Sequence, residues 1–256
     1  MSIYVNPLYY EIAFSFFDVK KQIDSFEIII KKFSKRKVRR VLDIACGPSL
    51  QLREIAKRGY EALGLDLAPE MLKYLSEKAV EEGLKIQTIQ ADMSDFRLEK
   101  KVDFAFIMMG SLVFESDKKF LDHLDSVAYS LRKGGLYLIQ NKALDWTKND
   151  EQSWTMEREG IITKTTFNIY WKDLLNQIYT EELTIKVNDQ GQTMNLKDKE
   201  DLKFIFPEEF KTLVRLNGKF DFLGWWEGTE STWYLDKPLD KAKFPSNINM
   251  VLLGRK

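Results

Sequence analysis

The stretch that decides the fold is Val38-Arg-Arg-Val-Leu-Asp-Ile-Ala-Cys-Gly-Pro-Ser-Leu-Gln-Leu-Arg-Glu-Ile-Ala-Lys-Arg-Gly-Tyr-Glu-Ala-Leu-Gly-Leu-Asp-Leu-Ala-Pro69. An apolar run, a turn of small residues, a helical period and a second apolar run make a βαβ unit. The first run ends at Asp43 and the second at Asp66, so two carboxylates stand at the C-terminal tips of neighbouring parallel strands, where open α/β sheets bind ligands. Between them, Ala45-Cys46-Gly47-Pro48-Ser49 carries little side-chain bulk and lets a ligand approach the backbone. Asp66 follows that turn by about 20 residues, the spacing at which this architecture holds a ribose diol. Asp43 lies ahead of the turn, where its charge repels a pyrophosphate and suits a cationic ligand.

With these residues in view, the chain resembles the class I S-adenosylmethionine-dependent methyltransferases of small-molecule type. Asp43-Ile-Ala-Cys-Gly-Pro-Ser and Gly64-Leu-Asp-Leu-Ala-Pro-Glu-Met-Leu are similar to the first two cofactor motifs of that family. Gln90-Ala-Asp-Met, Val102-Asp-Phe-Ala-Phe and Leu131-Arg-Lys-Gly-Gly-Leu-Tyr-Leu-Ile follow in the family's order, and the set covers about half the chain. The glycine-rich turn keeps only Gly47, with Ala45 and Ser49 in the other places. The resemblance implies S-adenosylmethionine as cofactor. It implies contacts from Asp43, Ala45, Cys46, Gly47, Pro48, Asp66, Leu67, Met71, Asp92, Met93 and Met108, with Asp92 and Met93 at the adenine. It also implies an N-terminal tyrosine segment closing over the cofactor, so Tyr10 joins the cofactor set and Tyr9 the substrate set. The fold it implies is a doubly wound, seven-stranded, mostly parallel sheet whose last strand is antiparallel, with helices on both faces.

The 256 residues suffice for a good core, and Lys+Arg and Asp+Glu both number 39, so no net charge draws the chain to nucleic acid or anionic lipid. A single cysteine forms no internal disulfide. The N-terminus lacks a basic-then-apolar leader, and no apolar run approaches the roughly 18 residues of a membrane helix. A cytoplasmic protein is expected, a monomer or homodimer without metal.

Along the chain, Ile23, Phe26, Ile29, Ile30 and Phe33 predict an amphipathic helix. The basic run Lys31 to Arg40 reads as a solvated face. Pro69 starts and Gly83 stops another helix. Lys85 to Ala91 and Val102 to Met108 are the third and fourth strands, and Leu136 to Gln140 the fifth, with Asn141 at its tip. His123, the one imidazole, reads as a surface or partly buried helical residue. The Asn-Pro-Pro-Tyr-like sequence with which many amino-methylating relatives grip planar nitrogens is absent after the fourth strand, which speaks against nucleobase methylation. From Trp154 to Phe206 period-two alternation predicts a three-stranded antiparallel sheet inserted after the fifth strand and roofing the substrate site. Trp171 from this roof, Trp233, Asn141 and Tyr9 are the candidate substrate contacts. The expected division is 1–143 for lid and cofactor-binding core, 144–206 for the β insertion, and 207–256 for a C-terminal helix and the last two strands.

The chemistry expected is in-line displacement of a methyl group onto the N or O nucleophile of a small acceptor. Methyl transfer needs no enzyme nucleophile, in keeping with a sequence that offers no catalytic triad, no metal-spaced Cys/His cluster and no assignable catalytic residue. The alternatives are a non-catalytic S-adenosylmethionine-binding sensor or partner subunit, and a nicotinamide dehydrogenase, whose Gly-x-Gly-x-x-Gly is missing here.

Overall fold

The computed structural model describes residues 2–142, 149–229, 231–238 and 248–256. A 3-10 turn at Ile3–Val5 leads into helices α1 (Pro7–Ala13) and α2 (Val19–Phe33), then β1 (Arg40–Ile44), α3 (Leu50–Lys57), β2 (Glu61–Asp66), α4 (Pro69–Glu81) and β3 (Ile86–Gln90). After these come β4 (Val102–Ile107), α5 (Asp117–Ser130), β5 (Leu131–Lys142), and four long strands, β6 (Asp150–Arg158), β7 (Ile161–Asp173), β8 (Ile178–Asp189) and β9 (Gln192–Lys203). The chain closes with α6 (Pro207–Asn217), β10 (Phe220–Gly228), β11 (Trp233–Pro238) and β12 (Ile248–Arg255).

The main sheet has the order β11-β10-β12-β5-β4-β1-β2-β3. β1, β2, β3, β4 and β5 are parallel, and β12 lies antiparallel between β5 and β10, as expected of the last strand. An eighth strand, β11, adds an antiparallel edge beyond β10. Both faces of the sheet are buried, which is why β1 and β4 read as continuous apolar runs. Leu42, Ile44, Ala105, Ile107 and Ile139 face Phe120 and Leu124 of α5 and Phe210 of α6. Val41, Phe104, Phe106 and Leu138 face Phe26 of α2, Leu52 of α3 and Leu72 of α4.

Close packing beneath the first turn depends on one missing side chain. A Cβ on Gly64 would stand 2.8 Å from Cys46 Sγ, 3.0 Å from Leu52 and 3.1 Å from Leu75. Gly64→Ala is therefore expected to destabilise the fold by about 1–3 kcal/mol, the usual cost of overpacking. A lowered denaturant midpoint checks it, and Cys46→Ala in the same chain should restore part of the loss by withdrawing the nearest atom.

The insertion is a four-stranded antiparallel sheet, β6-β7-β8-β9, where three strands were expected. Its first strand begins at Asp150 and shows polar residues at both parities, as an edge strand does, so alternation did not reveal it. The basic run is only in part a solvated face. Arg36 pairs with Asp103 at 2.8 Å and the buried Arg40 with Glu61 at 3.1 Å, at the opposite ends of the strands from their C-terminal tips. Trp233, expected at the substrate, is buried in β11 and stacks on Phe26 of α2 with ring centroids 5.2 Å apart. The lysine-rich segment after it, 239–247, lies outside the described residues, as does the expected boundary at 143/144.

Candidate functional site

A cavity of about 870 Å³ opens between the C-terminal tips of the parallel strands, the N-terminal segment and the inserted sheet. Its floor comes from the bend after β1 (Ala45, Gly47), the tip of β2 (Asp66, Leu67), the first turn of α4 (Met71), the segment after β3 (Asp92, Met93) and Met109, Gly110 and Ser111 after β4. Tyr4, Tyr10, Phe14 and Phe16 form one side, and Trp154, Phe167, Ile169, Glu181, Leu183, Asp198, Glu200 and Leu202 the roof.

The bend is built from left-handed backbone at three alternate residues, Ala45 (φ 53°), Gly47 (φ 53°) and Ser49 (φ 33°). For alanine and serine this conformation costs free energy and needs support from the surroundings. Asp66 supplies some of it: its Oδ2 accepts the Gly47 N–H at 2.7 Å and its Oδ1 the Ala68 N–H at 2.9 Å. Ser49 caps α3 by accepting the Leu52 N–H at 3.0 Å, and donates its own proton to Asp43 Oδ2 at 2.6 Å. A Cβ on Gly47 would meet nothing nearer than the Tyr10 ring, 4.0 Å away, so the bend's outer surface faces open space that Tyr10 partly covers.

Of the cofactor candidates, Tyr10, Ala45, Gly47, Asp66, Leu67, Met71, Asp92 and Met93 converge on the cavity. Leu67 sits at the rim with 67% of its surface exposed. Asp43, Cys46, Pro48 and Met108 do not line it. The Asp43 carboxyl lies beneath the bend, where burial pushes its pKa well above the ordinary range against the opposing hydrogen bond from Ser49, and nearby Asp66 pushes the same way. Cys46 and Met108 point into the apolar layer under the sheet, and burial raises the Cys46 thiol. Cys46 sits between two left-handed residues, Ala45 and Gly47, and its side chain packs on the layer away from the cavity.

Asp92 serves two structures at once. Its Oδ1 accepts both the N–H and the hydroxyl of Ser94 at 2.7 Å, holding the turn after β3, while Oδ2 stands 3.6 Å from Lys119. Burial alone would raise its pKa, but the Ser94 hydrogen bonds and Lys119 bring it below the usual carboxylate value. Asp66 shifts the other way, because its burial outweighs the backbone hydrogen bonds it accepts.

Among the substrate candidates, Tyr9 points away from the cavity and donates to Asp189 Oδ2 at 2.9 Å. Trp171 packs with Tyr179 and Phe204 beyond the end of the cavity. The Asn141 side chain lies outside the described residues, although its backbone pairs with Asn249. Tyr4, Gln140, Trp154, Glu181, Asp198 and Glu200 are cavity residues that sequence reasoning missed. For the three acids a signal existed. They occupy the same period-two parity as the buried Leu183, Leu196 and Leu202, so each is a charge on the strand face that carries those leucines.

His123 is fully buried, in contrast to the expected surface or partly buried placement. Its Nδ1 lies 2.8 Å from the Met93 carbonyl and its Nε2 2.7 Å from the Tyr137 hydroxyl. A carbonyl only accepts, so Nδ1 carries the proton and Nε2 accepts from Tyr137. Burial lowers the His123 pKa to about 4, against the raising influence of Met93 and Asp92. The folded pKa thus lies below the unfolded value, and the associated stability is complete above about pH 6.5 and lost as pH falls through 4. The loss is expected to reach about 3 kcal/mol at roughly 1.4 kcal/mol per pH unit. Unfolding measured across that window should show the slope, and the paired variant His123→Leu/Tyr137→Phe should flatten it.

Comparison with known proteins follows the same lines. Residues 41–135 match the family described as "Methyltransferase domain". A ubiquinone biosynthesis O-methyltransferase of Xylella fastidiosa is 30% identical over 101 residues, 39% of this chain and 40% of that protein. The matched stretch spans less than half the length of the curated relatives. Among solved structures, Streptomyces venezuelae DesVI superposes with a TM-score of 0.77 over 98% of this chain and 97% of its own, at 18% identity. An S-adenosylmethionine-dependent methyltransferase from Clostridium acetobutylicum gives 0.75 over 97% and 96%, at 14% identity. At these identities the likeness establishes the fold.

Proposed function

We propose that this chain, whose residues 41–135 match the methyltransferase domain family and whose fold is similar to that of an S-adenosylmethionine-dependent methyltransferase, binds S-adenosylmethionine and methylates a small molecule at nitrogen or oxygen. The observation that carries the reading is one continuous cavity joining the hydrogen-bonded bend to the inserted roof. Its volume stands in the upper part of the roughly 300–1,000 Å³ range of small-molecule sites, which leaves room for acceptor beside donor. The residues present fit the donor. Asp66 keeps lone pairs for two ribose hydroxyls beyond those given to Gly47 and Ala68. In this reading Asp92 and Met93 would hold the adenine edge, Leu67 and Met71 would pack on its flat surface, and the backbone of Ala45 and Gly47 would receive the amino-acid tail. Tyr10 covers the bend, and its ring favours a neighbouring cation by about 0.5–2 kcal/mol.

When bound, S-adenosylmethionine supplies a methyl group already activated on a sulfonium. The chain has then to orient the acceptor and exclude water. The aromatic wall of Phe14, Phe16 and Trp154 serves exclusion, with Trp154 Nε1 donating to the Ala13 carbonyl at 2.7 Å. Residues 1–143, 144–206 and 207–256 act as cofactor core with lid, substrate roof and closing strands. No helix of the described residues is long and apolar enough to cross a membrane, and a cytoplasmic monomer or homodimer accords with the reading.

Calorimetric titration with S-adenosylhomocysteine and with NAD tests the donor. The first should bind and the second should not; the reverse order would overturn the reading. Incubation with methyl-labelled S-adenosylmethionine and a metabolite pool should then place label in a small molecule, whereas label in RNA or protein would replace the substrate class.

A further inference from the structure

Among the described residues, the charged side chains on the roof of the cavity are all acidic. Glu181 and Glu200 stand directly opposite each other on β8 and β9, and Asp198 stands opposite Leu183 one step along. Like charges directly opposed across a strand pair are destabilising. Asp66, Asp92 and Asp150 add to the same lining, while no lysine, arginine or histidine is found among the described residues lining the cavity. In a chain of zero net charge this is a local concentration of negative charge, facing the space where an acceptor would enter.

A second observation points to a ligand in the same cavity. Gln140, near the C-terminal end of β5, is 3% exposed and lines the cavity. Its Oε1 accepts the Met109 N–H at 3.2 Å, which fixes the orientation of the amide. The Nε2 hydrogens are left for the cavity, with no acceptor among the described residues. That donor opens on the cavity, where water or a ligand oxygen can take it.

We propose that the acceptor is an alkyl amine that enters as its ammonium ion against Asp198 and Glu200 and carries an oxygen function that accepts from Gln140 Nε2. This inference rests on the methyl-transfer reading above and narrows it to nitrogen. In the transfer the ammonium gives one proton to the Glu200 carboxylate. The freed lone pair forms the carbon–nitrogen bond as the carbon–sulfur bond breaks, the sulfur keeps that electron pair, and the positive charge ends on the methylated nitrogen. Glu200 is suited to the proton: although the residue as a whole is exposed, partial desolvation and the like charges of Asp198, Glu181 and Glu115 raise its pKa. Burial raises Asp198 as well, against a hydrogen bond from Tyr4.

The test is calorimetry on the full chain with and without saturating S-adenosylhomocysteine. The probes are two matched sets: glucosamine, glucose and glucuronate, and cyclohexylamine, cyclohexanol and cyclohexanecarboxylate. The amine of at least one set is expected to bind tenfold or more tighter than its neutral and anionic counterparts. Asp198→Asn/Glu200→Gln, which keeps the shape and removes two charges, should abolish that preference and leave S-adenosylhomocysteine affinity within about twofold. Equal binding across both sets, binding by no amine, or a preference that survives the double variant overturns the proposal. Loss of S-adenosylhomocysteine binding with the amine preference intact would instead remove the methyl-transfer reading and leave the ammonium site standing.

Discussion

Asp66→Ala is expected to weaken S-adenosylhomocysteine binding about ten- to a hundredfold, since charge-assisted hydrogen bonds contribute about 1.5–3 kcal/mol. Two losses combine in that figure. The carboxylate would no longer accept the ribose hydroxyls, and the Gly47 and Ala68 N–H groups it holds at 2.7 and 2.9 Å would be released. The second loss frees the left-handed bend at Ala45 and Gly47, so the ligand would have to order backbone that is now ordered in advance. Asp66→Asn should recover little, because one of its two terminal groups becomes a donor facing a donor. Titration of the native chain gives an independent check. The Asp66 pKa is raised by burial, and the ligand favours the ionised form. Affinity should therefore fall at a higher pH, on acidification, than an ordinary aspartate would dictate. Unchanged affinity in the alanine variant, with the fold intact by circular dichroism, would sink the ribose role.

Asp66 was legible because strand periodicity located the tip of β2 and the spacing from the bend fixed the residue. The same logic over-assigned the bend itself. Every member of Ala45-Cys-Gly-Pro was given to the ligand, yet only Ala45 and Gly47 reach the cavity, while Cys46 fills the layer below. Tyr9 and Tyr10 show what periodicity leaves open. Adjacent residues on a helix point about 100° apart, and only the packing of α1 against the roof turns Tyr10 inward and Tyr9 toward Asp189. Trp233 was opaque for a related reason. An aromatic residue between two strands reads the same whether it tops a pocket or extends a sheet edge, and its stacking on Phe26 is a contact between distant parts of the chain. The roof acids were in plain view as charges on the strand faces that carry the buried leucines. Their meaning depended on the cavity beneath them, which no local pattern records.

The N-terminal segment depends on one buried carboxylate, and its removal should have the largest effect on stability of any single change considered. Glu11 of α1 is 4% exposed. Its Oε2 lies 2.7 Å from Arg53 of α3 and its Oε1 2.7 Å from Arg158 of β6, so one side chain ties the segment to both the core and the roof. Arg53 is further held by Glu82 at 2.7 Å, which fixes the core end of the clamp whether or not Glu11 is present. Taking one partner out of a buried ion pair leaves the other charge uncompensated, at a cost of about 3–5 kcal/mol. Arg158 is about one-third exposed and recovers some hydration, so Glu11→Ala is expected near the lower figure, about 3 kcal/mol. The loss should be local to the segment. Tyr10 and Phe14 would leave the cavity wall together, and amide exchange in α1 should quicken by about a hundredfold while β1 and β4 stay protected. S-adenosylhomocysteine affinity should fall in the same variant, because the covered form of the bend would be only fractionally populated. Amide exchange in α1 that matches the native chain would show that the apolar contacts of Ile3 and Ala13 with Leu183 and Ile185 hold the segment without the clamp. Exchange that quickens everywhere would show that the clamp supports the whole fold and not the lid alone.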